Sequence, residues 1–74
     1  MEKNKQKLLA VLDILNETDE LHPITANRIT ERLRLMGIEA ERKSVLRDIA
    51  ALSEYGCDII LHPDNKLGFY IGSR

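Results

Sequence analysis

With 74 residues the chain has room for one small domain, and a 43% apolar fraction sets it among folded rather than disordered proteins. Its net charge of −1 speaks mildly against nucleic acid as a partner, but charge segregated by face escapes such a sum. The single cysteine, Cys57, excludes an internal disulfide framework and fits a reducing compartment.

Residues 4 to 17 predict a first helix, with Leu8, Leu12 and Leu15 repeating at i, i+4, i+7 and Val11 and Leu9 beside them. Asn4 suits the N-cap. Lys3, Lys5 and Lys7 read as a solvated helix start; the functional alternative is that one or two of them touch phosphate. The run LLAVL is far too short to span a membrane, and Asp13 interrupts any signal-peptide core after MEKNKQK. A soluble, cytoplasmic protein with no membrane partner is expected.

Thr18 to Pro23 is a polar connection, extended or turned before the proline, and Ile24 adds a very short strand. Thr25 to Met36 predicts the second helix. Thr25 is its cap, Ile24 and Ile29 form a hydrophobic staple, and Ile29, Leu33 and Met36 form its buried face. Gly37 ends it in a left-handed conformation. About four residues then lead to a third helix from Glu41, which suits the helix dipole more than it suits capping, to Gly56. Val45, Ile49 and Leu52 form one apolar face, with Lys43, Arg47, Ala50 and Glu54 opposite. The segment from Arg42 to Arg47 contains no acid, whereas acids cluster at residues 17–20.

From Cys57 the period changes to that of strands. CDIILH and FYIG flank the turn-forming PDNKLG, with Ile59, Leu61, Phe69 and Ile71 on one face to cover the helices. The expected fold is α+β, mainly α: a winged helix-turn-helix of three helices followed by a β-hairpin wing, one domain over residues 1–74.

Four stretches carry a family resemblance: HPIT before the second helix, GIEAERKSVLRDIAAL through the third, YGCDI at its exit and GFYIGSR at the end. Together they resemble the N-terminal DNA-binding domain of WYL-domain transcriptional regulators, which is similar to the DeoR-like winged helix. Cys57 stands where the family usually has an aromatic. The resemblance implies a bacterial regulator that continues into a larger domain, which binds an effector ligand and helps form a homodimer. The chain is then expected to be a truncated form or a stand-alone fragment of such a regulator.

In a helix-turn-helix the second helix of the pair enters the major groove, and its first turns meet the base edges. Lys43 and Arg47 project together, and Arg47 suits a bidentate contact to guanine. Arg42 suits phosphate, Ser44 suits either, and Leu46 suits a thymine methyl. The alternative for these cations is a solvated face with local ion pairs. Asp48 diverges from Arg47 by about 100° around the helix and reads as structural, bonded to a neighbouring element. Thr25 with the amides after it, Arg28, and Lys66 at the wing tip are weaker phosphate candidates; Thr25 is equally an ordinary cap.

His22, Cys57 and His62 match no zinc spacing, and no nucleophile–base pair, phosphate loop or carboxylate pair suggests an enzyme. No cofactor is expected. The leading expectation is sequence-specific binding of double-stranded DNA. The alternative is a winged helix that serves protein–protein interaction or dimerisation without DNA, which the near-zero net charge favours.

Overall fold

The computed structural model describes residues 3–73, with side chains from 5 to 72. Three helices, α1 (Lys3–Leu15), α2 (Ala26–Leu35) and α3 (Arg42–Tyr55), precede an antiparallel hairpin of β1 (Asp58–Leu61) and β2 (Phe69–Ser73). This is the winged helix arrangement, mainly helical. The side chains of Lys3 and Asn4, and Arg74 at the end of GFYIGSR, lie outside the described residues. The backbone of Asn4 stands inside α1 rather than at its cap.

The core is aliphatic and drawn from every helix. Val11, Ile14 and Leu15 meet Ile29 and Leu33 of α2 and Val45, Ile49 and Leu52 of α3, with Ile71 of the wing closing the cluster. In α1 this corrects the expected stripe. Leu8 and Leu12 are only partly buried, and Leu9 is 55% exposed. The run LLAVLDIL is apolar around much of its circumference, so its period did not single out one face; packing against two helices did. The stripe that faces the core is headed by a charged residue, since Lys7, Val11 and Ile14 follow at i, i+4, i+7.

The first helix also ends earlier than expected. Thr18, read as part of a polar connection, is buried. Its Oγ1 donates to the Leu15 carbonyl at 2.6 Å and accepts the Ile71 N–H at 3.0 Å, tying the end of α1 to β2. Beyond it Asp19 closes a tight turn, accepting the Leu21 and His22 N–H groups and meeting the His22 ring. The bond with the His22 ring is the main reason its carboxyl is held below the usual range.

Thr25 caps α2, its Oγ1 accepting the Arg28 N–H at 3.1 Å. At the other end the Ile38 N–H reaches the Leu33 carbonyl and the Gly37 N–H the Arg34 carbonyl, a Schellman closure in which Gly37 has φ +83°. Met36 is therefore a helix-end residue, 50% exposed, and not the third member of the buried face. Partly buried Ile38 packs on the core from just beyond the turn. The same two bonds close α3, from Gly56 to Ser53 and from Cys57 to Leu52. Cys57 packs against the core.

The wing pairs Ile59 with Ile71, Ile60 with Tyr70 and Leu61 with Phe69. Ile59, Phe69 and Ile71 cover the helices as expected. Leu61 does not; near the tip the hairpin has run past the core, and Leu61 is exposed. Ile24 acts as a one-residue third strand, exchanging two backbone bonds with Phe69 at 2.7 and 2.8 Å. At Gly68 (φ +96°) a Cβ would stand 2.0 Å from the Ile24 carbonyl oxygen, so a side chain there is incompatible with this crossing. The wing tip is thereby pinned beside the start of α2.

Candidate nucleic-acid interface

Helix α3 presents a core face, an exposed ridge and two flanks to its surroundings. Val45, Ile49 and Leu52 enter the core. Lys43, Arg47 and Ala50 form the exposed ridge on the far side, where residues four apart stand one above the other. The flanks differ from each other. Arg42 and Leu46 face α2 and the wing, whereas Ser44 and Asp48 face α1 and the turn between α2 and α3.

On the first flank a groove of about 400 Å³ runs between the starts of α2 and α3 and the wing tip. Thr25, Asn27, Arg42, Leu46, Asn65 and Lys66 line it, and among the described residues no acidic one does. Four expected contact residues from three separate elements thus share one site. Their meeting depends on the Ile24–Phe69 bridge, which holds the wing tip at α2. Asn27 and Asn65 were not anticipated; their amides add donors and acceptors to the groove. No sequence signal distinguishes them from ordinary turn and helix-start asparagines.

The helix starts are polar in their own right. The Thr25 hydroxyl is engaged with the Arg28 amide, which leaves the Ala26 and Asn27 N–H groups directed out of the helix end. Glu41 has the extended backbone of a cap, but its side chain makes no capping bond to α3. Lys66 projects from a short 3₁₀ turn, Asn65–Leu67, whose entry is fixed by Asp64 accepting the Lys66 N–H at 3.2 Å.

Among the described residues, Arg42, Lys43, Arg47 and Lys66 take part in no ion pair. Arg28 differs: it stands 3.5 Å from Glu31 on the exposed face of α2, which takes up part of its charge. Ser44 is apart from the groove. It lines a recess of about 550 Å³ with Lys7, Arg34, Glu39, Ala40 and Glu41, where cations and carboxylates are mixed. Leu46 is partly buried against the core and reaches the groove with its remaining surface.

Asp48 bonds to a neighbouring element. Its carboxylate accepts from the Lys7 ammonium on α1. Lys7 is thus neither a solvated helix start nor a free phosphate contact. No three His, Cys, Asp or Glu side chains among the described residues come together as a metal-ligand set. No described helix is long and apolar enough to cross a membrane.

No family model, curated protein or solved structure matches the chain. The functional reading therefore rests on the fold and on the chemistry of this surface.

Proposed function

We propose that the chain is the sequence-reading DNA-binding module of a bacterial, cytoplasmic transcriptional regulator of the WYL-domain, DeoR-like kind. Its role is binding rather than catalysis. The observation that carries the reading is the run of unpaired cations along the exposed first half of α3, continued by Lys66 across an acid-free groove. Unpaired surface cations keep their full attraction for phosphate, and the major groove of DNA admits an α-helix. In this arrangement Lys43 and Arg47 meet base edges, while Arg42 and Lys66 hold the backbone on either side of the groove. Ser44 and Leu46 flank the reading ridge. Thr25 and Arg28 support the backbone contacts from α2.

Fluorescence anisotropy of random duplex DNA across a salt series tests this. The native chain is expected to bind weakly with a clear negative salt slope, and Arg42→Ala/Lys66→Ala, which removes the two backbone contacts, to bind less tightly with a slope shallower by about one to two. Absence of binding at low salt, in the single chain and in a tethered pair alike, overturns the reading.

A second reading has its own observation. Leu21, Leu35 and Tyr55 are each more than four-fifths exposed. Exposed aromatic and aliphatic side chains are what a surface for protein–protein contact or dimerisation would bury. Concentration-dependent self-association in sedimentation, unaffected by DNA, would favour it.

A further inference from the structure

The Lys7–Asp48 pair is the most enclosed charge contact among the described residues. Its side chains are 12% and 19% exposed, whereas Asp19–His22, Arg28–Glu31 and Arg32–Glu17 all lie in the open and none reaches α3. A pair withdrawn from water is a poor source of net stability, because desolvation offsets much of the attraction, and apolar side chains of similar volume often serve as well. What such a pair supplies is direction. The rest of the seat of α3 is aliphatic, through Val45, Ile49 and Leu52, and aliphatic surfaces repack with little loss. Lys7 heads the stripe by which α1 faces the core, and Asp48 stands next to Arg47 on the flank of α3.

We propose that the Lys7–Asp48 bond is a positioning contact that sets the rotation of α3 about its own axis, and through it the direction in which Lys43 and Arg47 point. Its meaning for recognition rests on the DNA-binding function proposed above. Geometry makes the contact consequential: a turn of about 15° sweeps an atom about 6 Å from the helix axis through about 1.6 Å. That exceeds the tolerance of a hydrogen bond to a base edge. Phosphate contacts, made by long and flexible side chains, follow such a shift more easily. Loss of the pair therefore lowers selectivity more than it lowers non-specific affinity.

The test replaces the pair by apolar side chains, Lys7→Met/Asp48→Leu, with Lys7→Arg as the conservative control. Three quantities are read: urea stability, the orientation of α3 relative to α1 from residual dipolar couplings, and selectivity for a site selected with the native chain. The double variant is expected to fold, with α3 rotated by more than about 10°. Its selectivity is expected to fall about tenfold, the loss of roughly one bidentate base contact, with the salt slope retained. Lys7→Arg is expected to keep both orientation and selectivity. Should the double variant not fold, Asp48→Asn is read in its place. Unchanged orientation, or unchanged selectivity in a chain that binds DNA, overturns the proposal. If the native chain shows no salt-dependent binding, the DNA-binding function fails, and the orientation of α3 in the variants still decides whether the pair positions it.

Discussion

Thr18 shows how one small polar side chain can join distant parts of a fold. Its hydroxyl donates back to the last residue of α1 and accepts from Ile71 of β2, 53 residues further along the chain. Neither bond has a sequence signature, because a threonine after a helix reads as a turn residue. Thr18→Val keeps the shape and removes the hydroxyl, leaving the buried Ile71 N–H without its acceptor. The expected cost is about 1–3 kcal/mol, seen as a lower urea midpoint at unchanged slope. A midpoint within error of the native value would show that water or a local shift replaces the bond. Met36 makes the opposite point: it continued the apolar period of α2, yet the Schellman closure at Gly37 turned the chain away before it could be buried.

The wing depends on its attachment more than on its own strands. A two-stranded hairpin is marginal alone, and this one gains from Ile59, Phe69 and Ile71 on the core and from the backbone exchange between Ile24 and Phe69. Gly68 permits that exchange, with a backbone conformation that side chains rarely adopt and no space for a Cβ. Gly68→Ala is expected to cost about 1–3 kcal/mol. The amides of Ile24 and Phe69 should then exchange with solvent sooner than those of the helical core. Equal loss of protection everywhere would mean that the wing and helices open as one unit. By the same argument the variant weakens the groove, because Lys66 reaches Thr25 and Arg42 only while the tip is held.

Under the function proposed above, a single domain of this size would make few phosphate contacts. Two copies on a two-fold site are the natural way to reach useful affinity. A tethered pair is expected to bind half-sites about 34–36 Å apart at least about 100-fold more tightly than the single domain. Equal affinity for one and two copies, with a linker long enough to span the sites, would count against cooperation on such a site. Overall charge is no guide here: the net of −1 averages a basic first half of α3 with acids around residues 17–20. Among the described residues no acid lines the groove that Arg42 and Lys66 share.

Local rules carried much of the architecture. Thr25 as a cap, the glycine closures after α2 and α3, the apolar period of α3 and the strand-like exit at Cys57 are short-range patterns, and each was legible because its cause lies within a few residues. The order of elements followed from them, as did the cationic ridge of Lys43 and Arg47, since helix geometry alone brings residues four apart together. Long-range matters were settled by folding. Which face of α1 is buried, the partner of Lys7, the clasp at Thr18 and the meeting of Arg42, Thr25 and Lys66 in one groove all join residues far apart in the chain. Pattern and propensity describe what a segment can do by itself; the side of an ambiguous helix and the neighbour of a charge are chosen by the packing of the whole core.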